Sequence, residues 1–139
     1  MALIITLIAS FLASALAQVL VDHFLVARFA IVGSFIGLLP STNSGVAFGI
    51  SFPGPLQSIL LAAALFIMAV MAFRSRQSLL QQVAFGLILG GAIGNIVDRL
   101  PDGRVTDFFQ VGDFPIFNVA DSCITIGVCL LLWKVVRKK

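Results

Sequence analysis

Four uninterrupted apolar runs, at residues 2–21, 56–73, 79–97 and 119–136, constrain this chain more than any other feature. Each is about 18–20 residues long, and at a helical rise of about 1.5 Å per residue that length crosses the roughly 30 Å of a bilayer's hydrocarbon. Four such spans consume most of the 139 residues, so the chain reads as a single integral membrane domain covering 1–139. The expected fold is an all-α four-transmembrane-helix bundle with a small extracytoplasmic strand and loop region. Composition agrees: 60% of residues are hydrophobic and only 11% are charged, against about 25% charged in an ordinary soluble domain.

Residues 24–39 are also apolar, but Arg28, Gly33, Ser34 and Gly37 interrupt them and they are short for a span. They are expected to form an interfacial helix or strand, a fifth span being the alternative. Ala15-Leu16-Ala17 before Gln18 resembles the small-residue site where a secretory leader is cut, yet no Lys or Arg precedes it. A retained first helix is therefore expected.

The formal charge of +3 does not mark a nucleic-acid binder, because the basic residues sit beside apolar runs and form no stripe on a soluble face. They set orientation instead. Arg74 and Arg76 lie between the second and third runs, and Lys134, Arg137, Lys138 and Lys139 lie at or beyond the end of the fourth. Both segments are expected on the cytoplasmic side, with only Arg28, Arg99 and Arg104 opposite. The six acidic residues, Asp22, Asp98, Asp102, Asp107, Asp113 and Asp121, then all fall at or near the extracytoplasmic side. The segments 41–55 and 95–118 share that side whether or not 24–39 crosses.

Cys123 and Cys129 are separated by roughly 9 Å of helical rise, too far for a disulfide. Gly86, Gly90 and Gly94 repeat every four residues along the third run, a stripe suited to close helix packing. Pro53 and Pro55 mark the entry to the second, where a proline costs no helical hydrogen bond.

Polar groups crowd one membrane boundary. The third run ends in Gly94-Asn95-Ile96-Val97-Asp98-Arg99; Gly103-Arg104-Val105-Thr106-Asp107-Phe108 follows, and Phe117-Asn118-Val119-Ala120-Asp121-Ser122 opens the fourth. An ionised side chain beside hydrocarbon costs several kcal/mol unless paired or wetted, so Asp107 and Asp121 are functional candidates. A plainer account makes Asp121 a helix N-terminal acid and pairs Asp98 and Asp107 with Arg99 or Arg104. For Asp98 a structural pairing with Arg99 is the preferred reading; for Asp121 it is weaker, since Asn118 holds the N-cap position. Two close carboxylates that share one proton leave one as acid and the other as base, the arrangement with which an aspartic peptidase activates water. The single His23 has no Cys or Ser partner in a recognisable motif, and no glycine-rich phosphate loop precedes a lysine. A small transporter or a metal-binding membrane protein with an acidic outer site is the competing class. It is disfavoured because no ionisable residue lies deep in the last three runs.

These blocks resemble lipoprotein signal peptidase, or signal peptidase II, an aspartic peptidase family of the bacterial cytoplasmic membrane. The family's pattern, Asn-x-Gly-x-Ala-Phe, then Gly-Asn-x-x-Asp-Arg, Gly-x-Val-x-Asp-Phe and Phe-Asn-x-Ala-Asp, occurs here in order at 43–48, 94–99, 103–108 and 117–121. The resemblance implies Asp107 and Asp121 as the catalytic dyad. It implies that Asn43, Gly45, Asn95, Asp98, Arg99 and Asn118, with Asp22 in a weaker context, shape or bind at the site. It implies a prolipoprotein substrate whose lipobox signal peptide is cut before a diacylglyceryl cysteine, contact with membrane lipids, and neither cofactor nor metal. A monomer without nucleic-acid partners, in the cytoplasmic membrane with its site at the extracytoplasmic face, completes the expectation. The sequence departs from the family in lacking a lysine shortly after Asp22 and in a short stretch between the two dyad aspartates.

Overall fold

In the computed structural model residues 1–45, 56–75 and 78–137 are described, and the elements run α1 (Ala2–Phe24), β1 (Phe29–Val32), β2 (Ile36–Asn43), α2 (Leu56–Ser75), α3 (Leu79–Arg99), β3 (Val105–Val111) and α4 (Val119–Val136). All four helices are long and apolar enough to cross a membrane. They coincide with the four apolar runs, although α1 and α3 continue to Phe24 and Arg99 and so carry their last turns into the polar boundary. The chain is thus a multi-pass, mainly helical membrane protein with a small sheet. Pro53, Pro55, Arg76, Lys138 and Lys139 lie outside the described residues.

Segment 24–39 makes no fifth span. It folds back as a β-hairpin, the strand half of the expectation, and β2 also pairs with β3, which follows two helices later, to give a three-stranded antiparallel sheet in the order β1-β2-β3. Gly33 turns the hairpin at φ 52°, a left-handed conformation that costs glycine nothing. Arg28 ties it down, its Nε donating to Gln110 Oε1 at 2.7 Å and its guanidinium to the carbonyls of Gly33 and Ser34.

α3 is the central helix, packed on α1, α4 and α2. A membrane bundle has no water to drive apolar residues inward, so small and polar side chains gather between helices while large aliphatic ones face lipid. α1 follows this rule: Ser10, Ser14 and Gln18 are buried, whereas Ile4, Ile5, Ile8, Leu12 and Leu16 are exposed. A side chain built on Gly86 would collide with Thr6, and one on Gly90 with Ser10. The expected packing stripe is therefore real, and its rising register makes α1 and α3 parallel. The hydroxyls along this seam are satisfied locally, Ser10 Oγ and Ser14 Oγ donating to the carbonyls four residues earlier at 2.8 Å. Both cysteines are free, as their spacing requires.

The two ends of the bundle differ in charge. Arg74, Lys134 and Arg137 collect at one end, where Lys134 Nζ donates to Ser78 Oγ and Gln81 Oε1 at the start of α3 and Arg137 lies over the Trp133 ring. The sheet, the ends of α1 and α3 and the start of α4 form the other end.

Candidate active site

α4 begins with a capping box: Asn118 Oδ1 accepts the Asp121 amide at 2.9 Å, and Asp121 Oδ2 accepts the Asn118 amide at 3.3 Å. Asp121 is therefore a helix N-terminal acid, as the plainer account has it. That role occupies only part of it, because its Oδ1 accepts from Asn95 Nδ2 at 2.8 Å. Asn95 comes from the last turns of α3, so the cap of one helix is bolted to the end of another.

Asp107 lies in the middle of β3, not in an irregular loop. Alternation along the strand turns it inward, and it is only 3% exposed. Asn118 Nδ2 donates to Asp107 Oδ1 at 2.8 Å and to Asn95 Oδ1 at 3.0 Å. Asn118, itself wholly buried, thus contacts both candidates through its side chain and links Asp107 and Asp121 in one network with Asn95. Asn43, on β2, also hydrogen-bonds Asp107, and its Oδ1 accepts the Gly45 amide at 2.8 Å.

Burial raises the Asp107 carboxyl to about 6, and the neighbouring Asp121 charge pushes the same way. Hydrogen bonds from Asn43 and Asn118 and the positive charge of Arg99 oppose this without cancelling it. Near neutrality Asp107 is thereby poised to hold or release a proton, while Asp121 accepts from two N–H donors, the Asn95 side chain and the Asn118 backbone.

Asp98 corrects the sequence reading. It does not spend its carboxylate on Arg99: Asp98 Oδ2 accepts the Thr106 amide at 2.7 Å, and Arg99 donates to the carbonyls of Asn95 at 3.2 Å and Gly45 at 2.7 Å. Neighbours in sequence on a helix point about 100° apart, so Asp98 faces the incoming strand while Arg99 faces the β2 exit. Asp98 still has a structural place, pinning β3 one residue before Asp107. Asp22 joins it, its Oδ1 accepting the Thr106 hydroxyl at 3.0 Å. Thr106 is thus a junction of α1, α3 and β3 that sequence reasoning did not single out, since it fills a variable position of its motif. Phe117 was likewise only a motif letter; its carbonyl accepts the amides of Phe108 and Phe109 and closes the connection from β3 to α4.

Nine residues were expected at the site, and all are here at one end of the bundle, Asp22 and Asp98 at its edge and the others around the two carboxylates. The remainder of the 43–48 block beyond Gly45 lies outside the described residues. A cavity of about 800 Å³ opens beside the network between α2, α3 and α4, lined by Asn95, Arg99 and Asp121 at its polar end and by Leu61, Ala64, Met68 and Ile88 deeper in. Among the described residues no three His, Cys, Asp or Glu side chains come together as a metal site.

Such a bundle, with two aspartates linked through Asn118 and Asn95 at one end beside an apolar chamber, defines a multi-pass membrane protein built around a polar boundary site, and its relatives say of which kind. Residues 3–137 match the family model described as signal peptidase (SPase) II. Lipoprotein signal peptidases of Chlorobium luteolum and Dehalococcoides mccartyi are similar to it, 41% identical over 117 residues and 44% over 105. The alignments cover 73% and 70% of this chain and 70% and 65% of those proteins. A solved structure described as a bacterial membrane enzyme superposes with a TM-score of 0.88 at 29% identity, covering 97% of this chain and 87% of that one. The chain belongs to the signal peptidase II family, a family of membrane peptidases.

Proposed function

We propose that this chain is an aspartic endopeptidase that removes the signal peptide from diacylglyceryl-modified prolipoproteins, cutting just before the lipidated cysteine, with Asp107 and Asp121 as its dyad. The observation that carries this reading is the Asp107–Asn118–Asn95–Asp121 network at the polar end of an apolar chamber. One proton is shared by the pair, held mainly on buried Asp107. The ionised partner takes a proton from water, the hydroxide adds to the scissile carbonyl, and the carbonyl oxygen receives the proton from the other carboxyl. Collapse of the tetrahedral adduct breaks the C–N bond as a proton passes to the leaving amine.

Each remaining residue has a part in holding that geometry. Asn95 and Asn118 fix the spacing of the carboxylates; Asn43 supports Asp107. Arg99 places positive charge beside the dyad and clamps the Gly45 carbonyl, and Asp98 with Asp22 fixes β3 through Thr106. The chamber is apolar and borders lipid, which suits a signal helix arriving sideways from the bilayer. The basic residues at the far end support an orientation with the dyad at the extracytoplasmic face of a bacterial cytoplasmic membrane. No metal or cofactor enters this chemistry, and a monomer suffices for it.

The test is cleavage of a lipidated prolipoprotein by purified protein, followed by gel shift. Asp107→Asn and Asp121→Asn each abolish cleavage while binding persists, and the double variant is scarcely worse than either, because paired groups are not additive. Chelators have no effect. The pH profile is bell-shaped, its apparent values belonging to the pair, and activity falls on the basic side as the shared proton is lost above about 6. Near wild-type cleavage by either single variant, or loss on chelation with rescue by a metal, would sink this mechanism.

A further inference from the structure

The dyad stands between two unlike spaces. Asp121 borders the apolar chamber, whereas Asp107 borders a second, open recess of about 420 Å³ on the sheet side, and the two meet at Asn43, Pro115 and Ile116. Where the chamber is walled by aliphatic side chains, the recess presents the hydroxyl residues Ser41, Thr42 and Ser44. Ser41 is directly opposite Asp107 in the β2–β3 register. Asn43, two residues on and so on the same face, hydrogen-bonds Asp107. Ser41 therefore shares the Asp107 face. It is half-buried, and its hydroxyl has no hydrogen-bond partner among the described residues, whereas the Thr106 hydroxyl is committed to Asp22.

Resting on the reading above, we propose that this recess is the subsite for the first residues of the released polypeptide, and that Ser41 reads the residue following the cysteine, favouring a small side chain that can hydrogen-bond. An apolar signal segment fills the chamber, so the chain beyond the scissile bond leaves by the polar side. Side chains directly opposite across an antiparallel pair lie about 5 Å apart. An extended peptide advances about 3.3 Å per residue. A bond held at the dyad thus brings the second residue beyond it, the one after the cysteine, alongside Ser41.

The experiment uses the full-length protein and three lipidated prolipopeptides identical except for serine, alanine or leucine after the cysteine, with kcat/KM measured for each. Wild-type protein cleaves the serine substrate about five-fold better than the alanine one, the worth of one neutral hydrogen bond, and the leucine one worst. Ser41→Ala brings the serine-to-alanine ratio close to one, and Ser41→Thr restores it. The ratio is internal to each preparation, so losses in folding cancel. A wild-type ratio near one, or a ratio unchanged by Ser41→Ala, overturns the subsite while leaving the peptidase reading intact. Failure of wild-type protein to cleave any of the three overturns that reading and the subsite with it.

Discussion

The two flanks of α3 are built on opposite principles. Toward α1 it offers glycines to hydroxyl side chains, and the backbones approach until no further atom fits. Toward α4 it packs closely too, Gly91 against the Ala120 carbonyl and Gly127 of α4 against the Ala84 carbonyl, and only toward α2 does it leave an apolar chamber, of about 800 Å³. The burial of the helices records the same difference: 44% of the α3 span is buried within the protein, against 6% of the α2 span. One flank is a frame and the other is room. The frame carries Asp22, Asp98 and Asn95 into register with β3 and α4, so the two aspartates are held by closely packed helices, while the proposed route for substrate lies where packing is loose.

The strongest way to break this comparison is to fill the frame. Gly90→Leu places a branched side chain where the Leu7 carbonyl and Ser10 hydroxyl already stand. Overpacking against backbone leaves no rotamer of escape, so the variant is expected not to accumulate as folded protein, assayed by detergent-extracted yield and thermal melting. A Gly90→Leu protein that melts like wild type would show that the seam is loose. Filling the room has the contrary signature. Ala64→Phe, on the chamber wall of α2, leaves the melting temperature nearly unchanged but lowers kcat/KM for a lipidated prolipoprotein about 10–100-fold, because substrate and ring compete for one space. Equal losses of stability from both substitutions would erase the distinction.

Much of the frame was legible because its signals are local. Run length gave the spans, the four-residue glycine repeat gave the seam, and Asn118 followed by Asp121 gave the start of α4. The site was legible through ordered motifs whose members the fold brings together. What was not legible depended on direction. Asp98 and Arg99 are adjacent in sequence and their charges act on each other, yet each spends its hydrogen bonds elsewhere, and Thr106 becomes a junction only once α1 and β3 meet. The hairpin in 24–39 was ambiguous for a related reason: a short apolar stretch fits a strand or a helix by pattern, and Arg28 decides through partners as far away as Gln110. The chamber could not be read from sequence at all, since the same aliphatic residues that line it elsewhere face lipid.

The smallest effect falls at the boundary of frame and room, on Asp107. Its carboxyl is raised to about 6 mainly by burial, so between the ordinary carboxylate range and that value the folded protein holds a proton that the unfolded chain has released. Stability contributed by this group is fully present at low pH and is lost as pH rises through about 6, because deprotonation then leaves a charge in a buried site. Asp107→Asn removes the titration and keeps an oxygen to accept from Asn118. The inactive variant is therefore expected to melt a few degrees above wild type at pH 7–8, with the gap closing as pH falls below about 5. The check is a pair of melting curves across that range. A gap independent of pH would locate the effect in packing alone, and a variant less stable than wild type at every pH would mean that the Asp107 charge is held by the frame and not strained against it.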